Sequence, residues 1–230
     1  MKVAAIPLRR FLFLVSVVFL LSASEGLLAQ TVALSGPRLK SQVSVEEAIQ
    51  ARRSVRAYAA APLQLFEVAQ IVWAAQGITE SQSGKRAAPS AGALYPMEVY
   101  LAVAKGRVEG LEAGIYRYDA RAHALHQVSA GDYTERIVQA ARNQAWAGQA
   151  PLMVIIAGEY ARTAGKYGQR AHRYVHIEAG CLAENIFLQV QALGLRAGII
   201  GAFDDAALQQ AAALPAAHEP LLIMPVGRPR

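Results

Sequence analysis

The sequence predicts an α+β domain in which a central sheet is flanked by helices. Three observations carry this expectation. Apolar residues recur at helical spacing in at least two segments, and one six-residue apolar run, Leu152 to Ala157, fits a strand buried on both faces. Helical and extended segments mix without strict alternation, which argues against a doubly wound parallel sheet. With 230 residues, 54% hydrophobic and 17% charged, the chain can bury a sizeable core as one domain.

The elements follow in order. Ser44 and Glu47 form an S-x-x-E capping box that opens a helix over 44–53, with Ala48 and Ile49 on its buried side. Pro62 precedes a second helix over 65–76, marked by Leu65, Val68, Ala69, Val72 and Trp73 and stopped by Gly77. A polar loop leads to "APSAGALYPMEV", a stiff stretch poor in large side chains, and then to a strand over 98–104. Residues 114–118 and 124–128 pair as a hairpin around "DARAH". Asp132 caps a helix running to Ala141, and the buried strand over 152–157 follows. The longest periodic segment, 170–193, reads as a central helix marked by Val175, Ala179, Leu182, Ile186, Leu188, Val190 and Leu193 and closed by Gly194. A short strand over 196–200, a helix from its cap Asp204 to Leu214, and a last strand over 221–226 complete the chain.

The first 29 residues differ from the rest. Arg9 and Arg10 precede the apolar run Phe11 to Leu21, and small residues follow it. This reads as a secretory signal peptide cleaved after Ser24 or Ala29, leaving one domain over 30–230. The run is shorter than the roughly 20 residues of a spanning helix, and an uncleaved anchor is the alternative. An exported, periplasmic protein is expected, and "RRFLF" resembles a twin-arginine start.

The formal net charge of +6 falls to +4 once Lys2, Arg9, Arg10 and Glu25 are removed. The cations do not form the long stripe of a nucleic-acid binder, so a small anionic ligand fits better than a polyanion. The single cysteine, Cys181, excludes an internal disulfide and reads as a packed side chain.

Five stretches are candidates for chemistry. "RRSVR" groups Arg52, Arg53, Ser54 and Arg56, whose planar forks and hydroxyl suit phosphate oxygens, although a solvated basic helix end would look the same. In "PSAGALYP", Pro89 and Pro96 fix the backbone while Ser90, Ala91, Gly92 and Ala93 permit close approach to the main chain. In "GIIGAF", residues 198–203, Gly201 allows backbone amides to face a flat ligand, but the stretch does not match the dinucleotide fingerprint. His172 and His176 have metal-ligand spacing, yet Arg173 stands where a zinc protease carries glutamate, and no metal is expected. Lys166 and Tyr167 pair a cation with a phenolic proton donor, or are an ordinary surface loop.

Together, and in this order, these stretches resemble the nitroreductase family of FMN-dependent oxidoreductases. The likeness runs from about Ala48 to the C-terminus. "PSAGALYP" and "RYVHIEAGCLAENIFLQVQALGL" are similar to the SagB-type dehydrogenase branch, some members of which oxidise azoline rings; "GIIGAFDD" and "PVGRP" complete the order. The resemblance implies a mixed sheet flanked by helices and FMN held at a homodimer interface. It assigns Arg52, Arg53, Ser54, Arg56 and Arg228 to the flavin phosphate and ribityl groups. Ser90, Gly92 and Leu94 would border the ring, and the Gly201 and Ala202 amides would lie near its redox edge. Lys166 and Tyr167 resemble a catalytic Lys-Tyr pair of azoline-oxidising members. The implied partner is a small-molecule substrate exchanging hydride with the flavin. The alternatives are a nitro- or quinone-reductase using NAD(P)H, or a flavin-binding module without turnover. Nitro-reducing members carry asparagine in the flavin loop, where this chain has Ala93.

Overall fold

A computed structural model describes residues 30–230; the signal-peptide expectation falls outside them. Eleven strands and six α-helices are arranged in the order β1 (Thr31–Ala33), α1 (Val45–Ala51), β2 (Leu63–Gln64), α2 (Leu65–Gln76), β3 (Ile78–Glu80), β4 (Lys85–Arg86), β5 (Met97–Val103), β6 (Val108–Glu109), β7 (Gly114–Asp119), β8 (Ala124–Ala130), α3 (Thr134–Ala140), β9 (Leu152–Gly158), α4 (Tyr160–Tyr167), α5 (Ala171–Ala192), β10 (Arg196–Ala197), α6 (Asp205–Ala211) and β11 (Glu219–Gly227).

Seven strands form one sheet in the order β1-β8-β7-β5-β9-β11-β10. Its strand pairs are antiparallel, and a parallel bridge from Ser54 to Ala197 at the β10 edge makes it mixed. The middle strands β5 and β9 are buried along their whole length and run in register from Met97 opposite Gly158 to Val103 opposite Leu152. Strands covered on both faces need no polar alternation, which is why β9 reads as a continuous apolar run.

Each face carries its own core. Val99, Leu101, Val154 and Ile156 pack against α2 and α5 through Val68, Val72, Leu182 and Ile186. Tyr100, Ala102, Met153 and Ile155 pack on the other face against α3 and α6 through Ile137, Leu208 and Ala211. Fully burying one such aliphatic side chain contributes about 1.5–3 kcal/mol, so the two-sided β9 is the centre of stability. Central α5 spans the first core, with Ala171, Val175, Ala179, Leu182, Ile186 and Val190 buried along one stripe.

Helix starts follow the chain's capping chemistry. The Ser44 Oγ accepts from the Glu47 amide at 3.1 Å while Glu47 accepts from the Ser44 amide at 2.7 Å. Asp204 caps α6 by accepting from the Ala207 amide. Asp132 accepts from both the Thr134 and Lys105 amides, tying α3 to the turn after β5.

Several expectations are corrected. α1 ends at Ala51 with Arg52 as its C-cap, so "RRSVR" starts at the helix end as expected but Arg53 lies outside the helix. Ala48 is buried, but Ile49 is 57% exposed: adjacent helical residues diverge by about 100° and cannot share a face. The strand over 196–200 contracts to Arg196–Ala197, with Ile200 making an isolated bridge to Ile223. Lys166 and Tyr167 sit in helix α4, not in a loop. His172 and His176 face Tyr160: the His172 ring stacks 4.6 Å from it, and the His176 Nε2 lies 2.7 Å from its hydroxyl.

Candidate active site

Residues 52–58 leave α1 in extended form and are held along the β10 edge. The Val55 amide donates to the Ala197 carbonyl at 2.9 Å, and Ser54 bridges Ala197. The buried Tyr58 hydroxyl lies 2.9 Å from both the Val55 and Pro225 carbonyls. Gly198 lets this segment approach: a Cβ there would stand 2.8 Å from the Val55 carbonyl oxygen and 2.7 Å from the Trp146 ring. Fixing the backbone in this way presents the side chains. Arg52 lies over the Phe187 ring, Arg56 lies over Trp146, and Arg53 donates to the Gln50 and Arg52 carbonyls. None of these three guanidiniums forms an ion pair among the described residues. Ser54 is exposed beside them.

The same strip continues to Gly201 and Ala202, just past the Ile200 bridge. Both are exposed, and neither amide donates to a backbone carbonyl among the described residues. Arg228 arrives from the end of β11. Its Nε donates to the Pro62 carbonyl at 3.2 Å and its Nη2 to both oxygens of Glu67 at 3.1 and 3.0 Å. Arg228 is thus anchored to a carboxylate that is only 4% exposed.

A second group forms around residues 89–96. The Ser90 Oγ accepts from the Tyr95 amide at 2.8 Å. Gly92 has φ +62°, and the chain stays in the left-handed region at Ala93 and Tyr95, with φ +54° and +48°. Such conformations cost of order 1 kcal/mol each outside glycine and persist only where the surroundings hold them. The surroundings do so here: Arg162 donates to the Tyr95 carbonyl at 2.9 Å, and the Arg86 amide donates to the Tyr95 hydroxyl at 3.2 Å.

Helix α4 brings Lys166 and Tyr167 onto this loop. A Cβ on Gly92 would lie 2.8 Å from the Tyr167 hydroxyl and 3.0 Å from the Lys166 Nζ. Tyr167 is braced edge-on against Tyr174 at 4.9 Å, and Lys166 is exposed. A cation and a phenol therefore converge over a loop position that only glycine fills without strain or clash. Leu94 closes the turn, half-buried.

Beneath the loop lies a carboxyl that the sequence reading missed. Glu178 of α5 is 3% exposed, and its Oε1 has no hydrogen-bond partner. Burial pushes its pKa up to about 7, while the Ser90 and Gln76 side chains and the Arg86 charge pull it back. The signal was available: position 178 is three residues after Val175 and four before Leu182, on the buried stripe of the helix. A second buried carboxylate, Glu98, is shared by Arg117 and Arg162 at 2.8 and 2.6 Å, and these cations hold it below the usual carboxylate range despite its burial.

The structure therefore gathers Arg52, Arg53, Ser54, Arg56, Gly201, Ala202 and Arg228 along one edge, and Ser90, Gly92, Leu94, Lys166 and Tyr167 around one loop. No hydrogen bond or aromatic contact joins the two groups among the described residues.

Comparisons with known proteins bear on the fold and the family. Residues 49–228 match the nitroreductase family model. A Methanocaldococcus jannaschii protein named "Putative nitroreductase" is 39% identical over 187 residues, 81% of this chain and 92% of the relative. The crystal structure of a Ralstonia eutropha protein titled a "putative nitroreductase" superposes with TM-score 0.76 at 27% identity, over 87% of this chain and 90% of that one. The NADPH:FMN oxidoreductase of Vibrio harveyi, complexed with NAD+, shares the fold with TM-score 0.57 at 20% identity, over 80% of this chain and 68% of that one. The family match spans both groups of candidate residues, and the chain belongs to the nitroreductase family of oxidoreductases.

Proposed function

We propose that this protein is an FMN-dependent dehydrogenase of the SagB type, acting on a small organic substrate as a homodimer. The observation that carries the reading is the division of the candidate residues into two complementary groups within one chain. One group offers three cations without carboxylate partners among the described residues, Arg52, Arg53 and Arg56, and free amides; the other offers a rigid loop and a proton-bearing pair. A second copy supplies each half with the other. An exposed apolar strip is available for that contact: Leu39, Val45 and Ile49 are 79%, 63% and 57% exposed, and Leu39 and Val45 lie with the partly exposed Phe66 around a cavity of about 600 Å³.

The residues fit FMN on the structure's own terms. Three guanidiniums without carboxylate partners and the exposed Ser54 hydroxyl match a phosphate. The exposed Gly201 and Ala202 amides match a ring edge that gains electron density on reduction. Bound FMN supplies the hydride chemistry. This chain's residues then do the rest: Arg52, Arg53, Arg56 and Ser54 hold the phosphate, with Arg228 completing that edge. Ser90, Gly92 and Leu94 border the ring, and the braced Tyr167 hydroxyl carries a proton beside the Lys166 ammonium. The shared fold with an NADPH:FMN oxidoreductase supports FMN as the flavin.

The absorption spectrum of the chain from Gln30 onward, with identification of the flavin released by heat, tests the cofactor. A colourless protein that takes up no FMN sinks this reading. K166A/Y167A is expected to retain flavin and lower dehydrogenation about 10²-fold or more, read as single-turnover flavin reduction. Unchanged turnover removes the pair from the mechanism.

A second reading is favoured by the names of the relatives: reduction of a nitro or quinone compound by NAD(P)H. Rapid bleaching of the bound flavin by NAD(P)H would select it. Residues 1–29 are proposed to export the chain to the periplasm by the twin-arginine route, which carries folded protein. Export of flavin-loaded protein by R9K/R10K would exclude that route.

A further inference from the structure

A cavity of about 440 Å³ opens at the end of the main sheet, where β5 begins and β7 ends, outside both groups of candidate residues. Its walls carry the guanidiniums of Arg86, Arg117, Arg121 and Arg162 but only two carboxylates, Glu98 and Asp119. Glu98 is fully engaged by Arg117 and Arg162. Asp119 accepts from the Arg121 and Ala122 amides and faces His126 at 3.5 Å. Arg86 and Arg121 are left without a carboxylate partner among the described residues.

Arg86 is the informative one. Its guanidinium lies 4.5 Å over the Tyr95 ring, and its Nη1 donates to the Gln76 Oε1 at 2.8 Å. Burial pulls its pKa below the ordinary value, the Glu98 charge opposes this, and the nearby Arg162 charge adds to it. Gln76 also lines the cavity; it is 2% exposed, and its side chain meets the Glu178 carboxyl on the other side. A partly desolvated cation with no ion-pair partner is costly, and Arg86 has none among the described residues. Its complement is an oxyanion. Planar forks bind carboxylate and phosphate oxygens alike, and the volume lies within the range of small-molecule sites.

We propose that this cavity binds a small oxyanion, anchored by Arg86 and flanked by Arg117, Arg121 and Arg162. Arg162 is already shared by Glu98 and Glu159, so Arg86 and Arg121 supply the charge that the ligand meets. Its place also gives it a lever: the Arg86 amide and the Arg162 guanidinium hold the hydroxyl and carbonyl of Tyr95, so the ligand would sit behind the strained loop that faces Lys166 and Tyr167.

The test is calorimetric titration of the chain from Gln30 onward with succinate and, separately, inorganic phosphate, against sodium chloride at matched ionic strength. Saturable binding of either dianion is expected, weakened at least 10-fold in R86M and less in R86K, which keeps the charge but loses the fork. R52A/R56A should retain it; that pair removes the other anion-binding edge and separates the two sites when phosphate is the probe. Succinate binding alone identifies an organic dicarboxylate class, and phosphate binding alone a phosphorylated one. No saturable binding of either, or binding unchanged by both Arg86 variants, or binding lost only in R52A/R56A, overturns the proposal. A chain that binds no FMN yet shows the Arg86-dependent site would refute the cofactor reading and leave this one standing.

Discussion

Arg228→Ala is expected to destabilise the flavin-free protein by about 3 kcal/mol, among the largest losses from any single change near the candidate site. The reason is the residue it leaves behind. Glu67 is 4% exposed, and its charge is answered by the Arg228 Nη2, which bridges both of its oxygens. One of those oxygens also accepts from the Gln64 amide at the start of α2, so the carboxylate is built into the helix start and cannot simply turn to solvent. Breaking a buried pair from one side costs about 3–5 kcal/mol, and the partial exposure of Arg228 places this case at the lower end. Replacing both partners, as Glu67→Gln with Arg228→Met, should cost less than the single change, because no uncompensated charge remains. Urea unfolding of the flavin-free variants measures both. An Arg228→Ala protein as stable as the parent, but with weaker flavin affinity, would show that Arg228 serves the phosphate alone.

That double duty marks how far the sequence could be read. The capping box at Ser44 and Glu47, the limits of α2 at Leu65 and Gln76, and the length of α5 follow from local chemistry, and the structure keeps them. The hairpin β7–β8 and the buried β9 follow from patterning in the same way. What was not legible depends on partners distant in sequence. Helix α4, "YARTAGKY", is eight residues long and polar on average, with one buried residue, Thr163, and a glycine inside it, so no apolar run announces a helix. β10 stops at Ala197 because Gly198 must admit the Val55 carbonyl, a contact made across more than 140 residues. "RRSVR" is recognisable as a cation cluster, but that its guanidiniums lack carboxylate partners is a fact of packing. Glu178 lay in plain view on an apolar stripe, yet nothing in the sequence says that Ser90 and Gln76 meet it.

Glu178 also gives the second large effect. Its carboxyl is raised by burial to about 7, against about 4.3 for the unfolded chain. In the folded state it keeps its proton over a pH range where the unfolded chain has released it. Stability from this group is therefore fully present below about pH 4.3 and is lost as the pH rises toward 7, levelling off above. At 1.36 kcal/mol per pH unit the full span is about 3.7 kcal/mol, an upper figure given the neighbouring polar groups, and about 3 kcal/mol of it falls between pH 4.5 and 8. Other groups act in the opposite sense. Glu98, Asp119 and Asp132 are held low and lose stability only as the pH falls toward their own range, while the buried His218 is also held low and disfavours acid. The difference between the parent and Glu178→Gln cancels those contributions. That difference is expected to move by about 3 kcal/mol between pH 4.5 and 8 in favour of the glutamine protein, which cannot ionise beneath the loop. Denaturant unfolding at matched ionic strength across this range reads it directly, and a difference that stays flat would mean the carboxyl titrates as an ordinary glutamate. The same ionisation sits one hydroxyl away from the Tyr95 amide, through Ser90, so a loop held by three left-handed residues rests on a group that changes charge near neutral pH.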